Sequence, residues 1–126
     1  MAAKILIVED EAIVAMSLAD TLKRLGYTTS GPVANGELAL QCAERDKPDL
    51  VLMDINLPGI DGFEAFEVMR DDADMSDIPV IALTANAMPR EVDRGRELGF
   101  KAYLTKPIDV ASTLAEITRV LEESES

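Results

Sequence analysis

The sequence predicts an α/β domain in which one parallel, five-stranded sheet is covered by helices on both faces. Short apolar segments alternate five times with longer segments of helical periodicity, which is typical of successive β-α units. The apolar segments at about 4–8, 49–53 and 79–83 do not alternate with polar residues, which indicates strands that are buried on both faces. Right-handed crossovers between such strands give a doubly wound sandwich.

The first strand at 4–8 is followed by a predicted helix at about 11–25, in which Val14 and three leucines recur at helical spacing before Gly26. The second strand, at about 27–33, is weaker because it contains a proline, and this favours an edge position in the sheet. The second helix is expected at about 36–45.

Local signals also mark the starts of the helices. Asn35 is a plausible N-cap of the second helix. The third helix follows a turn at Pro58-Gly59 and begins at Asp61-Gly62-Phe63-Glu64, an aspartate variant of the capping box. Phe63 and Phe66 in this helix are interpreted as core residues.

The last third of the chain contains a fourth helix, a fifth strand and a fifth helix. The fourth helix is expected at about 87–98, with Asn86 as its N-cap and Pro89 in its first turn. The fifth strand is expected at about 101–104, and the fifth helix at about 109–122 begins at the N-cap Asp109. The remaining residues, 123–126, are expected to be an acidic tail or the start of a linker.

The composition restricts the possible functions. The chain has 126 residues, 12 basic and 24 acidic side chains and a net charge of −12, which argues against direct binding to nucleic acid or to an anionic membrane. It contains no histidine, so metal ligands must be oxygens, and Mg²⁺, Ca²⁺ or Mn²⁺ is favoured over zinc. The single cysteine and the lack of a membrane-spanning or secretory segment favour a cytoplasmic location.

Four chemically active side chains follow four separate strands: Asp10, Asp54, Thr84 and Lys106. Because the carboxyl ends of parallel strands lie at one edge of a sheet, these residues are expected to converge there. Two acids, a hydroxyl and an ammonium fit the task of holding a divalent metal and a phosphoryl group together. Their combination is more specific than any one of them.

Each residue also has a simpler interpretation. Asp54 is the best candidate for a nucleophile that attacks a phosphoryl donor, or it is an acid that caps a turn. Glu9 and Asp10 form with Asp54 a set of Mg²⁺ ligands, or Asp10 is the N-cap of the first helix and Glu11 supplies favourable charge in its first turn. Thr84 binds a phosphoryl oxygen or caps the fourth helix. Lys106 neutralises phosphoryl oxygens or is solvated.

These motifs resemble the receiver domain of two-component response regulators, and the resemblance covers about residues 4–122. The segments that carry it are ILIVEDE at 5–11, LMDINLPGIDG at 52–62, PVIALTA at 79–85 and YLTKP at 103–107. The resemblance implies a flavodoxin-like fold with five helices and the strand order 2-1-3-4-5. It also implies that Asp54 accepts a phosphoryl group from a phosphohistidine on a histidine kinase or a histidine phosphotransfer protein.

The resemblance further assigns expected roles around the phosphoacceptor. Asp10 and Asp54 would bind Mg²⁺ directly, Glu9 would act through water, and the backbone carbonyl of Asn56 would be a further ligand. Thr84 and Lys106 would hold the phosphoryl oxygens.

Further expectations concern the switch and the lifetime of the phosphoryl group. Tyr103 falls at the position of the switch aromatic, and the small Ala85 would leave room for its ring to turn inward. Asn56 and Asn86 would tune dephosphorylation, and Pro107 is a candidate for a cis peptide bond. Helix 4, strand 5 and helix 5 are expected to form the surface that changes on phosphorylation.

Three other functions fit these residues less well. A phosphatase of the haloacid-dehalogenase type would need a general acid two residues after Asp54, where this chain has Asn56. A flavodoxin-like electron carrier would need a phosphate-binding loop where this chain has acids at 9–11. A degenerate receiver used only for docking would not need the acids. The chain is expected to act without enzyme turnover, either alone or as a module of a hybrid sensor kinase or multidomain regulator with a downstream partner or its own output domain.

Overall fold

The computed structural model describes residues 3–57, 59, 61–85 and 88–125, and side chains up to residue 123. Strands and helices alternate along the chain. The strands are β1 (Lys4–Val8), β2 (Thr28–Val33), β3 (Leu50–Asp54), β4 (Val80–Thr84) and β5 (Ala102–Thr105). The helices are α1 (Ala12–Arg24), α2 (Gly36–Asp46), α3 (Gly62–Asp71), α4 (Pro89–Leu98) and α5 (Val110–Glu125).

All five strands are parallel, and their order is β2-β1-β3-β4-β5. The predicted fold class and strand order are therefore confirmed, and so is the position of the proline-containing strand β2 at an edge. Strand β3 lies at the centre of the sheet between β1 and β4. The chain passes from β1 outward to β2 and then returns across β1 to β3. Because the direction of the connections reverses there, a crevice opens at the carboxyl ends of β1 and β3.

Two apolar clusters cover the two faces of the sheet, because successive side chains of a strand point to opposite faces. Leu6 and Val51 belong to the cluster formed with α2 and α3, whereas Ile5 and Leu52 belong to the cluster formed with α1 and α5. All residues of β3 and β4 are buried, as the uninterrupted apolar pattern predicts. The two phenylalanines of α3, Phe63 and Phe66, are core residues as expected.

Three predicted N-caps are present. The side chains of Asn35, Asp61 and Asp109 accept hydrogen bonds from backbone N–H groups in the first turns of α2, α3 and α5, at 2.9, 2.9 and 2.6 Å. Each bond satisfies one donor that the helix itself leaves without a partner. These caps therefore fix where the three helices begin.

Several predicted boundaries were wrong. Strands β3 and β4 each extend one residue further, so that Asp54 and Thr84 are their last residues. Helix α4 begins at Pro89 and not at 87, because the fixed φ of proline suits the first helical position. Asn86, its predicted N-cap, lies outside the described residues, and Met88 occupies the N-cap position without a side-chain cap.

Helix α5 extends to Glu125 and not to 122, so the predicted tail is largely helical. The end of the chain contains no glycine or proline that would stop the helix. The guanidinium of Arg119 forms ion pairs with Glu116 at 2.7 Å and Glu123 at 3.0 Å, and such pairs three and four residues apart support a helix. In the part of the chain that is described, no helix has the length and apolar character needed to cross a bilayer.

Candidate functional site

The predicted site residues do converge at the carboxyl edge of the sheet. Glu9 and Asp10 follow β1, and Asp54 ends the neighbouring strand β3. Their carboxylate oxygens lie within 4.8 Å of one another, and they form the one cluster of metal-ligating side chains found among the described residues. Glu9 and Asp54 are buried, at 2% and 3% exposure, whereas Asp10 is exposed. One carboxylate thus faces solvent at the mouth of a largely buried acidic site.

Lys106 reaches the same site from the loop after β5. Its Nζ atom donates a hydrogen bond of 2.7 Å to Oδ2 of Asp54 and forms an ion pair with Oε1 of Glu9. The Lys106 backbone N–H also donates to the carbonyl of Thr84 at 2.7 Å, which ties this loop to the end of β4. The Lys106–Pro107 peptide bond is cis.

Backbone donors hold the other oxygens of the two buried acids. Oδ1 of Asp54 accepts from the N–H of Asn56 at 2.7 Å, so the interpretation of Asp54 as a turn-capping acid also holds. Oε2 of Glu9 accepts from the N–H of Glu11 at 3.1 Å. Asp10 is not the N-cap of α1, because Glu11 occupies that position, and it does so without a side-chain cap. The alternative roles of Asp10 as the N-cap and of Glu11 as a first-turn acid were therefore wrong.

Burial and like charge perturb the titration of Glu9. Burial raises the pKa of its carboxyl to about 7, the Lys106 ammonium opposes the shift, and the hydrogen bond and charge of Asp54 add to it. For Lys106, burial works against the charged form, but the hydrogen bonds to Asp54 and Glu9 prevail and raise its pKa. The ammonium is thus held in its charged form between two acids.

The acidic cluster fits a hard divalent cation. Three carboxylates and one ammonium leave an excess of negative charge when all four are ionised, and like charges at this spacing repel one another. Oε1 of Glu9 is buried and, apart from its ion pair with Lys106, has no hydrogen-bond partner among the described residues. An all-oxygen donor set that includes one exposed carboxylate suits Mg²⁺, which binds one or two carboxylates and retains water.

Thr84 and Ala85 lie beside the acids, at the end of β4. Thr84 is fully buried, and its strand pairs with β5 so that Thr84 lies opposite Thr105. It is not the N-cap of α4, because that helix begins five residues later. Ala85 is exposed. The predicted tuning residue Asn86 lies outside the described residues, whereas the other, Asn56, is exposed beside Asp54.

Gly62 is a site-supporting residue for which the sequence did not predict a role. A Cβ atom there would lie 2.6 Å from both the carbonyl oxygen of Asp54 and Cα of Ile55. Only glycine therefore lets the first turn of α3 lie directly against the end of β3. A glycine directly after the N-cap Asp61 was the available signal.

Tyr103 lies beneath α4. It is partly buried, and its hydroxyl donates a 2.9 Å hydrogen bond to the backbone carbonyl of Glu91. Burial and the charge of Glu91 raise the pKa of the phenol. Its ring also makes an edge contact with Phe100, with centroids 5.9 Å apart. The tyrosine is thus a link between β5 and α4 and not only a half-buried strand residue.

Comparison with known proteins gives a consistent result. The family model of the response regulator receiver domain matches residues 5–118. The chain is 38% identical over 124 residues to the polar-differentiation response regulator DivK of Brucella anthropi, covering 98% of this chain and all of DivK. It is 38% identical over 114 residues to the transcriptional regulatory protein PdtaR of Mycobacterium tuberculosis, covering 90% of this chain and only about half, 54%, of PdtaR.

A solved structure is also similar. The receiver domain of the sensor histidine kinase PA1611 from Pseudomonas aeruginosa, which has a magnesium ion coordinated in its active site cleft, superposes with a TM-score of 0.83. The sequences are 35% identical, and the alignment covers the whole of both chains.

Proposed function

Because the chain belongs to the response regulator receiver domain family of two-component systems, we propose that Asp54 is its phosphoacceptor. The observation that carries this proposal is the environment of Asp54: a buried carboxylate with Oδ1 fixed by a backbone N–H and Oδ2 bonded to the Lys106 ammonium. A carboxylate oriented in this way can attack phosphorus, and carboxylates are known nucleophiles in phosphoryl transfer.

The proposed donor is a phosphohistidine on a histidine kinase or a histidine phosphotransfer protein. One oxygen of Asp54 forms the new O–P bond, and the N–P bond breaks with its electron pair returning to the donor imidazole. The phosphoryl group adds negative charge, which the Lys106 ammonium neutralises when it exchanges Asp54 for the phosphoryl oxygens. Thr84, at the end of the adjacent strand, supplies a hydroxyl to the same group. Positioning and charge neutralisation are the main contributions that a protein makes to this chemistry.

We propose Mg²⁺ as the cofactor of this site, with Mn²⁺ as a possible substitute. Asp10, Asp54 and the backbone carbonyl of Asn56 would bind it directly, and Glu9 would act through water. When bound, the ion supplies positive charge to the phosphoryl oxygens during transfer. The three convergent carboxylates support this assignment, as does the magnesium ion in the similar PA1611 receiver domain.

The output is proposed to be a change in the surface formed by α4, β5 and α5, with Tyr103 as the switch aromatic. Asn56 and Asn86, which are polar and uncharged, would permit a transient phosphoryl group. The signal would pass to a separate protein or to an output domain of a larger regulator or hybrid kinase. Amide hydrogen exchange should change most in this surface on phosphorylation, and changes confined to α1 and α2 would contradict the proposal.

The proposed function does not include turnover of external phosphate esters. Asn56 stands two residues after the nucleophile, where an aspartyl-phosphate phosphatase of the haloacid-dehalogenase type has an acid that donates and recovers a proton. An amide side chain cannot do so. We therefore expect no hydrolysis of a generic phosphomonoester above the rate of the Asp54→Asn variant, and Asp54-dependent turnover would contradict this expectation.

The direct test is intact mass after incubation with acetyl phosphate, with and without Mg²⁺. Wild-type protein should gain a single phosphoryl group in a Mg²⁺-dependent manner, and Asp54→Asn should gain none. Asp61→Asn is a matched control, because asparagine still caps α3 and the negative charge removed lies outside the acidic cluster. An adduct that persists in Asp54→Asn would contradict the assignment, as would the absence of both an adduct and beryllofluoride binding.

A further inference from the structure

Helix α4 is held to the rest of the protein by few contacts. Gly95 is its one fully buried residue, and its N-cap residue offers no side-chain hydrogen bond. Two contacts near the middle of the helix compensate for this limited burial. The Tyr103 hydroxyl donates to the Glu91 carbonyl at 2.9 Å, and the Arg94 guanidinium lies over the Phe63 ring, 4.3 Å from its centroid. A helix with so little apolar burial depends strongly on each such contact.

Gly95 leaves the space that Tyr103 occupies. A Cβ atom at position 95 would overlap the Tyr103 hydroxyl and would lie only 2.6 Å from Cζ of that ring and 2.8 Å from Cδ2 of Phe100. Any other residue at 95 would therefore displace the tyrosine or the helix. Glycine is unfavourable inside a helix, so Gly95 weakens α4 but leaves space beneath the helix for the ring.

The same tyrosine is connected to the acidic site through β5. Tyr103 pairs with Ala82 of β4, and two residues later Thr105 pairs with Thr84. The Lys106 backbone N–H then donates to the Thr84 carbonyl. A short and continuous path of strand pairing thus joins the ring beneath α4 to the lysine that contacts Glu9 and Asp54.

From this arrangement we propose that Gly95 is a positioning residue whose missing side chain forms the seat for Tyr103, and that the occupied seat couples α4 to the phosphorylation site. The coupling part rests on the proposed function of Asp54, whereas the seat itself does not. Because coupling between two sites is reciprocal, filling the seat must change the affinity of the site for a phosphoryl mimic.

Fluorotyrosine NMR tests both parts in the full chain. The chain has two tyrosines, Tyr27 and Tyr103, so two signals are expected, and Tyr103→Phe assigns them. Tyr27 packs with the cluster on the opposite face of the sheet and serves as an internal reference. Gly95→Ala should move the Tyr103 signal and leave the Tyr27 signal in place. Asp93→Ala, on the exposed side of the same helix, should move neither.

Titration with beryllofluoride in the presence of Mg²⁺ then measures the coupling. Gly95→Ala should change the apparent affinity for the mimic by about fivefold or more relative to Asp93→Ala, which is the lower end of typical coupling between sites. An unchanged affinity would overturn the coupling. If the wild type itself does not respond to the mimic, the proposed function has failed. The Tyr103 signal in unliganded Gly95→Ala would still show whether Gly95 forms the seat for the ring.

A double-mutant cycle covers the case in which Gly95→Ala is too unstable for spectroscopy. Gly95→Ala should lower the melting temperature of Tyr103→Ala much less than that of the wild type, because the ring is absent and only the 2.8 Å approach to Cδ2 of Phe100 opposes the gain in helix propensity. An equal decrease in both backgrounds would show that the clash lies with other atoms. That result would overturn the proposal that Gly95 forms the seat for Tyr103.

Discussion

Replacement of Glu9 by Gln should remove a pH-dependent part of the free energy of unfolding of the metal-free protein. Burial raises the pKa of Glu9 from 4.5 to about 7 in the folded protein, with a further contribution from Asp54 that Lys106 opposes. Between these two values the folded protein binds a proton that the unfolded chain has released. The free energy of unfolding therefore falls as the pH rises through this window.

The two pKa values set the size of the effect. Integration of the linkage relation from about pH 5 to about pH 7.5 gives a loss of about 2 kcal/mol for the wild type from this titration. Glu9→Gln cannot show this loss. Its stability relative to wild type should therefore improve by about 2 kcal/mol over the same range, whatever its absolute stability.

Urea unfolding followed by circular dichroism, in a chelator at several pH values, measures this difference. Glu11→Gln is the matched control, since Glu11 is an exposed neighbour, and its pH dependence should parallel that of the wild type. Parallel curves for Glu9→Gln and the wild type would refute the reasoning, because they would mean that Glu9 titrates near its ordinary value in the folded protein.

Three further predictions concern other parts of the molecule. Gly31→Ala should lower the free energy of unfolding by at least about 1 kcal/mol more than Gly26→Ala does. Both glycines have positive φ, but a Cβ at Gly31 would lie 2.9 Å from a carbonyl oxygen of β1, whereas a Cβ at Gly26 would meet open space. Equal losses in urea unfolding would contradict this prediction. Millimolar Mg²⁺ should raise the melting temperature of the wild type by binding linkage but raise that of Asp10→Asn far less, and equal shifts would argue against a carboxylate site. Asn35→Ala should lower the free energy of unfolding by about 1 kcal/mol, because its side chain caps α2, and an unchanged urea midpoint would argue against the cap.

The sheet and the convergence of the site were predictable because they depend on short-range patterns. An uninterrupted apolar strand fixes a parallel sheet, and in such a sheet the residue that ends each strand must lie at the carboxyl edge. Asp54 and Thr84 therefore came together without any knowledge of their neighbours. The expected direct contact of Lys106 with phosphoryl oxygens stays a prediction. Its buried ion pair with Glu9 did not follow from the sequence.

The properties that were not predicted are contacts between elements whose relative orientation the sequence does not specify. The contact of Gly95 with Tyr103 exists only once α4 lies across β5, so the sequence alone does not indicate it. The predicted start of α4 at 87 was too early, because the fixed φ of Pro89 favours it as the first helical residue.

Because of the strand order, the residues of the site follow strands that are held in the sheet to different degrees. Asp54 ends the central strand, and the two metal-binding candidates follow the strand beside it, where hydrogen-bonded neighbours on both sides resist displacement. Lys106 follows β5, an edge strand with one neighbour. Asp54 and the two neighbouring acids therefore follow strands that are paired on both sides, whereas Lys106, which we propose neutralises the phosphoryl group, follows a strand that is paired on one side. If Asp54 is the phosphoacceptor as proposed, we therefore expect the movement that follows phosphorylation to be larger at β5 than at the centre of the sheet.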